Sequence, residues 1–306
     1  MAENIMTTNR SDSEFSPAAI FDDTEQRSRV QKYFDQDNNW LGEIYETSSD
    51  THARGVRRRI KYIFEMLDSL NCYHGGTAID IGCGPGAYVN KLLDRGCGAI
   101  GTDLSLQMLN VCKKRFQNSK EKSTDFLCSD VLSLPFRDQS FDIVICVGVI
   151  QYVISVTDAI NELFRITDKQ GVVVVCFENV KSLSNYGYLV RSKIRLLINR
   201  TTSGFSAGEP SGIGTFSKWF LNNVRVPHLY KLYNPPEIEK IMAETGFKKI
   251  SSRTYGYSLR LIRRMKIFPE KFLSECEIVL ENFFYRHRIP YLSNSGEFYI
   301  GLFNKP

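Results

Sequence analysis

The chain has 306 residues, 42% apolar and 24% charged, with a formal net charge of +5. That length and apolar content fit one large domain with insertions, so two independent domains are not required. The charge is too mild to argue for a polyanionic partner on its own, and any such case must rest on where the basic residues cluster.

Residues 1–26, rich in Ser, Thr, Asn and acids, read as a disordered start. No signal-peptide core is present there, and nowhere do about 18 apolar residues run together, so a soluble cytoplasmic protein is expected. The eight cysteines are scattered, without a CxxC pair, as reduced and buried thiols are. Residues 27–74 read as a helical lid: YFDQDNNWLGEIYE leads into GVRRRIKYIFEMLDSL, where Ile60, Ile63, Phe64, Leu67 and Leu70 recur at helical spacing. From 75 to 180 helices alternate with strands: TAIDI, AYVNKLLDRG, CGAIGTD, SLQMLNVCKKRF, DFLCSD, FDIVICV, TDAINELFRIT and GVVVVCFEN. Strands so continuously apolar are buried on both faces, which requires a parallel sheet covered by helices, a doubly wound α/β core.

Residues 181–233 break the pattern. A basic, acid-free run is followed by TTSGFSAGEPSGIGTF, whose glycines hold no regular element, so this segment reads as an inserted cap over the substrate. Residues 234–306 return to the core with a helix in NPPEIEKIMAETGF, a strand in KKISSRTYGY and a last strand in EFYIGLFN. A helical insertion at about 258–294 contains KFLSECEIVLENFF, where Phe272, Cys276, Val279, Leu280 and Phe283 mark an amphipathic face.

The chemistry concentrates at AIDIGCGPGAYV. Gly82, Gly84 and Ala87 satisfy the dinucleotide pattern G-x-G-x-x-[GA]. Glycines alone do not choose between NAD and S-adenosylmethionine (SAM), because both need a backbone that approaches the ligand closely. Asp80 does discriminate: a carboxylate just before the loop repels a diphosphate and favours a ligand carrying an ammonium and a sulfonium. Asp103, about 20 residues on, suits ribose hydroxyls, and Asp130 in CSDVLSLPF suits an adenine amino group beside the Val131 N–H.

These motifs resemble the class I SAM-dependent methyltransferases, in particular the ubiquinone- and menaquinone-biosynthesis group, over about residues 75–180. DIGCGPG resembles the first motif, IGTDLS the ribose-binding acid, DVLSLPF the adenine motif, FDIVICVGVIQYV the fourth strand and turn, and NELFRITDKQGVVVVCFEN the fifth-strand region. The resemblance implies a Rossmann-like seven-stranded sheet, mostly parallel with an antiparallel last strand. It implies SAM as cofactor, S-adenosylhomocysteine (SAH) as product, and a cofactor site of Asp80, Gly82, Cys83, Gly84, Gly86, Asp103, Leu104, Asp130, Val131 and Val147. Tyr33 and Trp40 would lie near cofactor or acceptor, with core packing as their alternative.

Gln151 and Tyr152 stand where relatives often carry paired histidines, which removes the easiest base. His228, before the sixth helix, and Glu178, at the end of the fifth strand, are the remaining catalytic candidates, with a structural histidine and a solvated loop acid as their respective alternatives. The four histidines are far apart and no cluster has ligand spacing, so no metal site is expected. Arg191 and Arg195, with Arg263 and Arg264, mark two basic segments. They read as solvated helix edges or as a peripheral membrane contact. Nucleic acid is a poor fit: no RNA-binding module is appended, and no Asn/Asp-Pro-Pro-aromatic motif follows the fourth strand. The expected activity is methyl transfer to oxygen, with carbon next, of a small or lipid-like acceptor. A non-catalytic SAM-binding subunit and an NAD-linked dehydrogenase are the competing readings.

Overall fold

The apolar runs become seven strands: β1 (Thr77–Ile81), β2 (Gly98–Asp103), β3 (Asp125–Cys128), β4 (Phe141–Val147), β5 (Thr167–Glu178), β6 (Lys248–Tyr255) and β7 (Phe298–Asn304). A computed structural model describes residues 23–36, 51–73, 75–117, 124–182, 231–257, 267–288 and 294–306. The strands form one sheet in the order β3-β2-β1-β4-β5-β7-β6. All neighbouring pairs are parallel except those of β7, which runs antiparallel to both β5 and β6. The expected architecture, with its antiparallel last strand, is the one observed.

Seven helices are described: α1 (Asp23–Gln36), α2 (Thr51–Asp68), α3 (Ala87–Leu93), α4 (Leu106–Phe116), α5 (Val156–Ile166), α6 (Pro235–Thr245) and α7 (Glu270–His287). Local sequence sets their ends. Ser105 and Ser155 cap α4 and α5 by accepting from the Met108 and Asp158 N–H groups. Pro235 and Pro236 open α6, and Gly246 closes it in the left-handed region.

Two hydrophobic clusters lie against opposite faces of the sheet. One gathers Ile63 and Leu67 of α2, Val89 and Leu92 of α3, and Leu109 and Cys112 of α4 over Ala78, Ile143 and Val174. The other gathers Ile160 and Leu163 of α5 and Ile238 and Met242 of α6 over Ile79, Val144 and Val173. Alternate residues of β1 and β4 thus face different helical layers, which explains their unbroken apolarity.

The chain moves outward from β1 to β2 and β3, then returns to lay β4 on the other side of β1. The loops leaving β1 and β4 therefore diverge, and the crevice between them at the carboxyl ends of the strands is where such sheets bind ligands. The insertion is rooted at the same edge: Tyr233 pairs with Asn179, and the Val180 N–H donates to the Tyr233 carbonyl at 3.0 Å.

Of the eight free cysteines, Cys83, Cys97, Cys112, Cys146 and Cys176 are buried as expected, while Cys128 on the edge strand is exposed. Burial pushes the Cys176 thiol up to about 12, so it stays protonated and inert at neutral pH.

Candidate functional site

The loop after β1 is fixed by its own glycines. Gly82 sits at φ +68, and a Cβ there would overlap Val149 Cγ2 in the turn after β4, so no other residue fits. Gly84, at φ +49, has nothing within 4 Å of the position a Cβ would take, leaving that side of the loop open. The rest is tied down: the Cys83 N–H donates to the Thr102 carbonyl (2.8 Å) and Arg115 Nη1 to the Pro85 carbonyl (3.0 Å).

Asp80, at the carboxyl end of β1, is 1% exposed, and neither of its carboxylate oxygens has a hydrogen-bond partner. Burial and the neighbouring Asp103 carboxylate hold its proton affinity well above the usual carboxylate range, and the Arg59 guanidinium partly offsets this. A buried acceptor pair left without donors is costly unless a ligand supplies them. An ammonium supplies both donors and charge; a diphosphate supplies neither.

Asp103 ends β2 within reach of the same loop. Its Oδ2 accepts from the Gly84 N–H (2.8 Å) and its Oδ1 from the Ser105 N–H (2.9 Å). Each oxygen keeps a lone pair for a further donor, such as a vicinal diol. Burial raises this carboxyl, and the backbone donors at Ser105 and Gly84 pull it back. Leu104 follows, half-buried, and Val147 at the end of β4 is buried.

Asp130 lies beyond β3 on a loop fastened to α5. Arg165 donates to the carbonyls of Phe136 (2.7 Å) and Leu134 (2.9 Å), and the Leu134 N–H donates to Glu162 Oε2 (3.0 Å). Val131 anchors the loop in the core. Asp130 Oδ1 accepts from the Leu132 N–H (3.0 Å), while its Oδ2 lies 2.6 Å from Arg27 Nη2 of α1.

Helix α1 spans these elements. Besides the Arg27 pair, Ser105 Oγ donates to Asp35 Oδ1 (2.5 Å), Gln26 Nε2 donates to the Tyr152 carbonyl (3.0 Å), and Phe34 meets the Tyr152 ring edge-on with centroids 5.3 Å apart. Of the aromatic pair expected in the lid, Tyr33 is exposed and packs on Phe34 at 5.1 Å. It is Phe34 that meets the turn after β4. Gln151 is buried and structural in its contacts: its Oε1 accepts from the Glu178 N–H (3.4 Å), and its carbonyl accepts from the Lys231 N–H (2.7 Å). Glu178 is half-buried at the end of β5.

Asp80, Asp103, Asp130, the glycine loop, Tyr152 and Glu178 thus share one edge of the sheet. Trp40, His228, Arg191, Arg195, Arg263 and Arg264 lie outside the described residues. Sequence reading missed Arg27, Phe34 and Arg59, which no motif marks. Arg59 Nε donates to the Tyr88 hydroxyl (3.0 Å), which sets the guanidinium beside the glycine loop's helix. Among the described residues, no group of three or more His, Cys, Asp or Glu is placed to hold a metal ion. No described helix is long and apolar enough to cross a membrane.

Residues 79–175 match the family described as a methyltransferase domain. Over these residues the core is similar to the class I SAM-dependent methyltransferases. The chain is 28% identical over 168 residues to the demethylmenaquinone methyltransferase of Renibacterium salmoninarum, covering 53% of this chain and 68% of that one. It is 36% identical over 112 residues to the malonyl-[acyl-carrier protein] O-methyltransferase of a Marinomonas species, covering 36% and 40% of the two chains. The chain spans about half the length or less of most of the curated relatives it matches. The magnesium protoporphyrin IX methyltransferase of Synechocystis PCC 6803, solved with SAH, has the same fold. It superposes with a TM-score of 0.59 at 15% identity, covering 92% of this chain and 100% of that one.

Proposed function

We propose that the chain is a SAM-dependent methyltransferase acting on an oxygen, or a carbon, of a small or lipid-like acceptor. The observation that carries this reading is Asp80: two buried, unpartnered carboxylate oxygens beside an open glycine loop fit a cationic ligand and reject a diphosphate. Asp80 would hold the ammonium of SAM, Asp103 the ribose hydroxyls, and Asp130 with the Val131 N–H the adenine. SAM supplies an electrophilic methyl group on a sulfonium.

The remaining work falls to this chain's own residues. The site must align the acceptor in line, exclude water and remove a proton where the acceptor carries one. Helix α1 belongs to the proposed lid, and residues 183–230 of the proposed cap lie outside the described residues. Glu178 at the end of β5, and His228 in the segment leading into α6, are the two groups proposed to take the proton. The relatives named above act on menaquinone precursors and on malonyl groups of a carrier protein, which supports an acceptor with a lipid-like or acyl character.

The test is SAH formation from SAM across quinol, phenol and acyl-thioester acceptors. Turnover with one class, lowered at least tenfold in Glu178→Gln at unchanged SAH affinity, supports the reading and the role of Glu178. SAH binding without product across the panel favours a non-catalytic SAM-binding subunit.

A further inference from the structure

Helix α7 buries two acids and leaves several large apolar side chains outside. Its inward side carries Glu277 and Glu281, the latter 0% exposed, whereas Phe272, Val279 and Phe283 stand outward at 49%, 66% and 47% exposure. The inward acids are satisfied. Glu281 Oε1 accepts from Arg58 Nη1 (3.1 Å) and the Gly256 N–H (2.9 Å), its Oε2 from the Tyr62 hydroxyl (2.7 Å), and Glu277 pairs with Arg58 Nη2 at 3.4 Å. Leu273 is buried on the same inward side and Phe284 packs on Tyr257 at 5.0 Å, so the helix docks through mixed contacts that leave Phe272, Val279 and Phe283 outside as an apolar stripe. The stripe is extended by Ile267 and Phe268, both exposed, and the Phe268 and Phe272 rings lie 5.5 Å apart.

We propose that this stripe seats on an anionic membrane surface. Contiguous exposed aromatic and branched side chains mark an interaction face. Basic side chains lie beside this one: Arg286, His287 and Arg288 are exposed at the C-terminal end of α7. In sequence, the nine residues before Ile267, SLRLIRRMK, contain four basic and no acidic residues. Glu275 is exposed on one flank. Apolar anchors framed by cations suit the boundary of an anionic bilayer.

The position is apt. The Gly256 N–H that bonds Glu281 directly follows Tyr255, and Tyr255 and Glu178 both pair with Phe298 across β7. The stripe therefore belongs to a helix anchored at the same sheet edge as the site. Delivery of a lipid-like acceptor along that edge rests on the methyl-transfer reading; the docking itself does not.

The test is sedimentation of the full chain with vesicles of phosphatidylcholine alone or mixed with phosphatidylglycerol, without SAM or acceptor. Partition to the phosphatidylglycerol vesicles is expected. It should fall roughly tenfold or more in Phe272→Asp/Val279→Asp, and about fivefold for each of Arg286→Glu and Arg288→Glu, with loss at high salt. The altered side chains are exposed, so unchanged unfolding midpoints will accompany these losses. No partition by the parent chain, or partition unchanged in the aspartate variant, overturns the proposal. So does a parent dimer in analytical ultracentrifugation that Phe272→Asp splits, since a second copy then covers the stripe.

Discussion

Arg27 of α1 and Asp130 of the loop after β3 form an ion pair 2.6 Å long, so helix α1 holds the acid proposed for the adenine. The other Asp130 oxygen is taken by the Leu132 N–H. Binding an adenine amino group at Asp130 therefore competes with, or must share, the Arg27 contact.

Arg27→Ala is accordingly expected to tighten SAH binding. Arg27 is half-exposed, so the pair is worth at most about 1 kcal/mol, or about fivefold in Kd. Calorimetric titration checks this, and affinity weakened tenfold means that Arg27 holds the ligand rather than opposing it.

Asp80 links the site to stability. Burial and Asp103 raise its folded value above that of the unfolded chain, so the folded state binds the proton more tightly. Its contribution to stability is fully present below the unfolded value of about 4 and is lost as pH rises toward the folded value. Asp80→Asn removes that slope, and the unliganded variant is expected to be more stable at neutral pH by about 1–3 kcal/mol while binding SAM more weakly. Thermal unfolding of both chains from acid to neutral pH is the measurement. Parallel curves dispose of the buried charge.

Glu281 is the keystone between α7, α2 and the end of β6, accepting from Arg58, Tyr62 and Gly256. Without Glu281, Arg58 keeps only the longer Glu277 contact at 3.4 Å, and the Tyr62 hydroxyl and the Gly256 N–H lose their acceptor. Glu281→Ala is expected to destabilise the chain by about 3–5 kcal/mol, read from urea unfolding. A loss below about 1 kcal/mol means that Arg58 is solvated without it.

The core and the cofactor loop were legible because their signals are local. Continuous apolarity in FDIVICV and GVVVVCFEN gave buried parallel strands, and Asp80, Gly82, Gly84, Gly86 and Asp103 lie within one βαβ unit. The lid contacts were not legible, because Gln26 and Tyr152 are 126 residues apart and nothing local in RSRVQKYF marks Arg27 or Phe34 as site residues. The orientation of helix α7 was not legible for a different reason. The spacing of Phe272, Cys276, Val279, Leu280 and Phe283 marks an amphipathic face, but periodicity does not say which side turns inward. Arg58 and Arg253, distant in sequence, supply the charge that draws the polar side in; Arg253 bonds Asn282 at 2.7 Å and stacks over the Tyr62 ring at 3.3 Å.

Titration of the purified chain with SAH and, separately, with NADH tests the cofactor site most directly. The expected result is micromolar binding of SAH alone, weakened by about 1.5–3 kcal/mol, or at least about tenfold, in Asp103→Ala. Binding of NADH, or no SAH binding by a chain that remains folded, contradicts the assignment of Asp80 and Asp103 to a SAM site.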